Sequence, residues 1–497
     1  MRALLASSIG VATAAALALP LALPSTALAH PAAAVAGPAA PETPAVPETP
    51  AAPETPAVPA GSTESLPLVP VGPAAGRSAG VPGMSTSPRL PETRGLPARE
   101  VRTFSLVGVV WDDAGAHLDG RVQVRTRSVA TAAWSDWQDV ETHNTEHAAD
   151  PGTAERGTGR TRGSTAPLWV GESDGIEVRV QAEPGGHAEG GGLPTGLRIE
   201  LVDPGESTGV PQDAKNATNA NPSGDAAPGH PSPVGVDDDD KGELALLPGM
   251  TMEMAESSSA NVPMAPLGAH EIPALNKADS TADAVLADGA LAAAPYIGPR
   301  PKIVTRMGWG ADESLRESGF VYTNTVKAAF VHHTASGNNY ACKDAPAVLR
   351  SLYRYHVVSS GWRDIGYNFA VDKCGTVYEG RAGGVAKAVL GAHTMGFNTD
   401  SMGIAVIGTF ASTAPPKAAV DAVARLTAWK LGLFGADPRG KTTLRSGGGN
   451  LYAKGSNVSL NVISGHRDGF ATECPGRHLY SQLPPTRTAS AKLQGRP

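Results

Sequence analysis

The chain has 497 residues with 58 Gly and 43 Pro, but only 5% aromatic and 18% charged residues, so much of its length cannot be packed core. Three cysteines exclude a disulfide-dense scaffold and a multi-cysteine zinc array, and no apolar run beyond the N-terminus is long enough for a multi-span membrane protein. The formal net charge of −7 is unevenly divided: from Pro299 to Pro497 there are 24 Lys and Arg against 12 Asp and Glu, and the remainder is strongly acidic. A basic C-terminal part suits an anionic partner such as a wall polymer, a membrane surface or nucleic acid; the alternative is a solvated surface balanced by an acidic linker.

Residues 1–29 read as a secretory signal peptide. Arg2 gives the positive start, an Ala/Leu-rich stretch follows, and Ala27-Leu28-Ala29 is a small-x-small cleavage site. The alternative is a retained membrane anchor, but Pro20 and Pro24 cut the apolar run short of a comfortable span, so no integral membrane segment is expected after cleavage. The expected localisation is secreted, extracellular or wall-associated, and disulfides become permissible. Residues 30–95 are low complexity, with near-repeats such as Pro41-Glu42-Thr43-Pro44-Ala45, and are expected to be a disordered spacer.

Over residues 98–204 the composition changes. Phe104–Trp111, Arg121–Thr126, Pro167–Val170, Ile176–Ala182 and Leu197–Val202 are short β-favouring runs, two of them alternating apolar and polar residues. They predict a small β-sandwich. Trp134, Trp137 and Trp169 are read as core aromatics, with a carbohydrate-stacking platform as the alternative. Residues 205–297 lack any sustained period and predict an acidic disordered linker, in which Asp237-Asp238-Asp239-Asp240 lacks calcium-loop spacing.

Residues 299–490 predict an α/β domain with a central mixed sheet covered by helices. The strand Ala328–Val331 runs into His332-His333-Thr334, and a helix follows near Ala345–Val358. Tyr367–Val371 and Gly375–Tyr378 form a hairpin, Gly403–Gly408 a buried strand, Lys417–Leu433 a helix, and Asn461–Ser464 a strand leading to His466.

His332, His466 and Cys474 are candidate ligands near strand ends. Two imidazoles and one thiolate make a three-ligand Zn2+ set with one position left open, as in a catalytic site. Eight residue steps separate His466 from Cys474, so a loop must fold back to join them. The bland alternatives are a satisfied histidine at a strand end and a buried thiol. Cysteine arithmetic favours the ligand: three cysteines can form only one bridge, Cys342 before a helix and Cys374 in a hairpin turn are placed so that they can pair, and Cys474 would then be left over.

Six ordered blocks carry a resemblance. They are Val331-His332-His333-Thr334, Gly361 to Phe369, Val377-Tyr378-Glu379-Gly380-Arg381, Gly391-Ala392-His393-Thr394, Gly465-His466-Arg467-Asp468 and Thr472-Glu473-Cys474-Pro475-Gly476. This order resembles peptidoglycan recognition proteins and the related zinc-dependent N-acetylmuramoyl-L-alanine amidases, over roughly residues 301–480. The whole arrangement looks like secreted proteins of actinobacterial type. The resemblance implies Zn2+ on His332, His466 and Cys474, a catalytic tyrosine at Tyr367 and a second catalytic position at Thr472. It puts substrate-groove positions at His333, Thr334, His356, His393 and Asn398; for His356, structural packing and ligand contact stand as equal alternatives. The implied partner is peptidoglycan, as a muramyl peptide, and the implied reaction is hydrolysis of the amide between N-acetylmuramic acid and L-alanine. Retention of Cys474 argues against the alternative, a non-catalytic peptidoglycan-binding module. Ala382–Leu390 departs from the family's sequence. No nucleic acid is expected, since there is no basic helix with interleaved aromatics.

Overall fold

The computed structural model of the chain describes residues 61–71, 92–183, 192–206, 246–288 and 296–497. The signal-peptide expectation over 1–29 and the run Asp237–Asp240 lie outside them. Among the described residues, no helix is long and apolar enough to cross a membrane.

The N-terminal module is built on one hydrogen-bonded sheet of β1 (Ser62–Pro67), β2 (Val69–Pro70), β3 (Thr93–Trp111), β4 (Gly120–Ser128), β5 (Gln138–Val140), β6 (Gly163–Ser164), β7 (Leu168–Ala182) and β8 (Arg198–Asp203). The main path runs β1-β8-β3-β7-β4-β5, all antiparallel, with β2 and β6 also on β3. Alternation in β4 sends Val122 and Val124 inward, where they meet Val178, Val180, Ile199 and Trp111. Two expectations are corrected here. The two runs predicted at 167–170 and 176–182 are one strand, because Gly171, at a positive φ, and Gly175 let β7 bend and continue. Residues 62–70, placed in the disordered spacer, are ordered because Ser62–Pro67 pairs residue for residue with β8.

The second sheet has the order β17-β11-β14-β12-β13-β10-β9, formed by β9 (Glu271–Ile272), β10 (Ile303–Val304), β11 (Ala328–His333), β12 (Phe369–Val371), β13 (Val377–Glu379), β14 (Ser401–Val406) and β17 (Ile463–Gly465). Strands β17, β11, β14 and β12 are parallel, while β12–β13 and β10–β9 are antiparallel, so the sheet is mixed, as expected. Strands β15 (Lys441–Arg445) and β16 (Asn457–Asn461) make a separate hairpin. The helices are α1 (Met252–Ser259), α2 (Lys277–Asp288), α3 (Arg306–Trp309), α4 (Ala345–Arg354), α5 (Lys417–Leu433), α6 (Arg477–Tyr480) and α7 (Leu483–Leu493). Helix α4 runs into a π-helical turn at Tyr355–Ser359, where a continuous α-helix was predicted.

Strand β11 is apolar on both sides because it is central and parallel. Ala329 and Val331 enter the core beneath α5, and Ala328 and Phe330 pack on the other face with Phe397. Period two therefore carries His332 to the face opposite α5.

The predicted disordered linker also needs correcting. Thr251 caps α1 by accepting from the Met254 N–H at 3.3 Å, and Ile272 and Ala284 are buried in the α/β core. These single apolar residues lack a helical or strand period, yet each finds a place in a core made by residues far along the chain. The pair Cys342–Cys374 is a disulfide with its Cα atoms 6.1 Å apart, and Cys474 is a buried free thiol.

Candidate metal centre

Strand pairing brings the candidate ligands together. His332 is the fifth residue of β11, and His466 directly follows the neighbouring β17, whose Gly465 registers with Val331. The loop after His466 folds back, with the Arg467 N–H donating to the Cys474 carbonyl at 3.0 Å. Cys474 Sγ then lies 3.8 Å from His332 Nδ1, and the His332 and His466 rings are 4.6 Å apart. The loop that spacing demanded is the one that forms.

A fourth residue joins them. His147, from the N-terminal module, has its ring 4.5 Å from His466 and 5.3 Å from His332. One potential ligand atom from each of His147, His332, His466 and Cys474 lies within 4.8 Å of the other three, and all four residues are buried. A tetrahedral zinc sets such atoms roughly 3.3–3.8 Å apart, given bonds of about 2.0–2.3 Å. The donor set fits that ion. Both ring nitrogens of His147 and of His466 are buried without a hydrogen-bond partner, a costly arrangement that a metal would relieve. Burial, reinforced at His332 by the neighbouring histidines, holds the His332 and His466 imidazoles far below their ordinary pKa and so in the neutral form that ligates. His332 Nε2 is 3.4 Å from Thr394 Oγ1, leaving Nδ1 to face the thiol.

Around the centre, Tyr367 is buried with its ring 5.5 Å from that of His332. Burial pushes its hydroxyl well above the usual phenol range, so it remains a donor. Thr472 Oγ accepts from the Cys474 N–H at 3.2 Å and donates to Glu146 Oε1 at 2.8 Å. His356 stacks on Trp362 at 4.4 Å and accepts from the Gly366 N–H through Nδ1 at 3.3 Å, so it packs the loop that presents Tyr367. His333 Nδ1 accepts from the Phe410 N–H, and burial lowers its pKa to about 4. Thr334 is engaged with Ser336 Oγ at 2.7 Å and the Gly408 N–H at 2.9 Å, which ties the ends of β11 and β14. Asn398 Oδ1 accepts from the His393 and Thr394 N–H groups, shaping the turn beside the centre. The His393 ring lies 5.3 Å from His332.

The sequence reading missed Glu146, His147, Asp150 and Glu155. Their connection between β5 and β6 has only short 3-10 turns, Thr145–His147 and Arg156–Thr158. A long strandless stretch rich in His and acidic residues was the available signal. Trp169 is buried as expected, but Trp134 is exposed and Trp137 half-buried, with the Arg125 guanidinium 5.4 Å and 5.3 Å from their rings.

Residues 322–477 match the family model described as N-acetylmuramoyl-L-alanine amidase. Peptidoglycan-recognition protein SC1a of Drosophila melanogaster is 32% identical over 193 residues, covering 39% of this chain and 90% of that protein. The chain belongs to the peptidoglycan recognition protein and amidase family. Peptidoglycan-recognition protein SC2 of the same fly is 29% identical over 183 residues, covering 36% of this chain and 84% of that protein. The N-acetylmuramoyl-L-alanine amidase of Homo sapiens is 32% identical over 203 residues, 40% of this chain and 30% of that protein. Among solved structures, wild-type Drosophila PGRP-LB is 27% identical over 36% of this chain and 91% of that chain, with a TM-score of 0.29. Residues 47–222 match a second model, described as Rv3811 N-terminal galactose-binding domain-like. His147 lies in that second region, so the four-residue cluster draws on both parts of the chain.

Proposed function

We propose that the chain is an exported zinc amidase that hydrolyses the amide between N-acetylmuramic acid and L-alanine in peptidoglycan. One observation carries the reading: His332, His466 and Cys474 converge in one buried cluster beside the Tyr367 ring. Zinc bound there supplies a Lewis acid for the scissile carbonyl and lowers the pKa of water toward ~7. The Tyr367 hydroxyl, kept protonated by burial, donates toward the carbonyl oxygen as charge develops on it. Thr472 offers a second hydroxyl, adjoining the Cys474 backbone. His356 and Trp362 hold the Tyr367 loop in place. Export rests on Met1–Ala29, and the Cys342–Cys374 disulfide agrees with an oxidising compartment. In this reading residues 299–490 are the amidase domain and its net basic charge retains it on anionic wall polymers, an effect that salt weakens.

The presence of His147 in the cluster favours a second reading, a recognition module that binds wall without cutting it. Mass spectrometry of digested peptidoglycan separates the two. Under the amidase reading, stem peptides with free L-alanine N-termini appear, vanish with a chelator and return with zinc. Muropeptides that stay intact under every condition, with His147→Ala as well as with the wild type, establish the binding module instead.

A further inference from the structure

The β5–β6 connection of the N-terminal module lies directly over the candidate centre, and its side chains occupy the groups that line it. Glu146 Oε1 accepts from the Thr472 hydroxyl at 2.8 Å, and the Glu146 carbonyl accepts from the Met395 N–H at 2.8 Å. Asp150 Oδ1 accepts from the Asn398 side chain at 2.6 Å and from the Gly396 N–H at 2.7 Å. Glu155 takes both terminal nitrogens of Arg381 at 2.9 Å, in a pair buried on both sides. Between these anchors the imidazole of His147, with neither nitrogen hydrogen-bonded, points into the cluster of His332, His466 and Cys474.

We infer that His147 is a fourth protein ligand to the zinc, and that the segment from Glu146 to Glu155 holds the amidase latent until it is displaced. The inference rests on the amidase reading above. A catalytic zinc keeps one position for water or substrate, whereas four protein ligands make a closed site. Here the fourth ligand comes from another module, and its neighbours carry carboxylates to Thr472, Asn398 and Arg381. Thr472 and Asn398 are expected catalytic and groove positions, so ligand and groove are blocked together, and the Arg381 pair anchors the far end of the segment. The segment is built to move separately from its module. It contains no strand, Pro151, Gly152 and Ala154 within it are exposed, and β3 and β8 remain fixed to the α/β core by Leu106, Val110 and Val202.

The test uses the zinc-loaded full chain, wild type and His147→Ala, with zinc X-ray absorption and release of L-alanine N-termini from sacculi as readouts. The wild type is expected to show three imidazoles and one sulfur and the variant two imidazoles and one sulfur, with at least tenfold faster release by the variant. An Asp150→Ala/Glu155→Ala chain, which keeps the imidazole but loosens its anchors, is expected to fall between them. Two imidazoles in the wild type, or equal and rapid release by wild type and His147→Ala, overturns the inference while the amidase reading stands. Three imidazoles with no release by any form overturns both, and the centre is then structural.

Discussion

Tyr367 and Glu379 are both buried and both shifted, with opposite consequences for function and stability. In the proposed amidase the Tyr367 hydroxyl would donate to a developing oxyanion, and one such donor is worth about 100- to 1000-fold in rate. Tyr367→Phe, made in the His147→Ala chain so that latency does not mask the loss, is expected to lower turnover by that factor. Zinc content measured by atomic absorption should not change, because the ring packs beside the ligands without joining them. Glu379 accepts from the Asn261 side chain at 2.8 Å and the Arg306 N–H at 3.1 Å, but burial outweighs both and raises its pKa to about 7. Between pH 4.5 and about 7 the native state keeps a proton that the unfolded chain releases, so stability from this group falls as pH rises. The loss approaches about 3 kcal/mol above that window. Glu379→Gln is expected to remove this slope, seen as a Tm difference from wild type that grows from pH 4.5 to 7 and then levels.

Elements differ in how openly the chain announces them. Helix α5 matches its predicted bounds, and β11, β14 and the β12–β13 hairpin fall within two or three residues of theirs, because each has a local period or a turn signal. In the hairpin turn, Asp372 Oδ1 accepts from the Cys374 and Thr376 N–H groups, a local arrangement that a sequence can advertise. The three candidate ligands of the α/β domain were legible because their types are chemically restricted. His147 was not, since its meaning depends on a contact with residues hundreds of positions away. The same holds for Ser62–Pro67, whose Pro-rich setting hides an edge strand ordered by β8, and for α1 and α2, whose packing is set by distant core residues. The Cys342–Cys374 bridge ties the start of α4 to the hairpin and closes a loop of 32 residues. A loop of that length corresponds to about 3–4 kcal/mol of unfolded-state entropy. The Cys342→Ser/Cys374→Ser variant is expected to lose up to that amount in urea titration, with Cys474 untouched.

At the scale of the whole chain, the two modules share one interior. Leu106, Val110, Trp169 and Val202 of the N-terminal sheet lie in the same apolar cluster as Trp309, Leu352, Tyr355 and Ile365. Polar groups close the seam: the Tyr355 hydroxyl donates to the Thr165 carbonyl at 3.1 Å, and Ser359 Oγ to Glu200 Oε2 at 3.2 Å. Arg381 with Glu155 adds a buried ion pair whose loss on one side would strand the other charge, at a cost of about 3–5 kcal/mol. A seam of this kind couples the unfolding of its two sides, so the full chain is expected to melt in a single calorimetric transition. Gly108 offers a way to break the coupling without touching the metal centre. It lies in β3 against the ring of Tyr355, and a Cβ placed there would overlap the tyrosine hydroxyl and ring. Gly108→Val therefore has to push the two modules apart or expel Tyr355. Calorimetry should then resolve two transitions where the wild type has one.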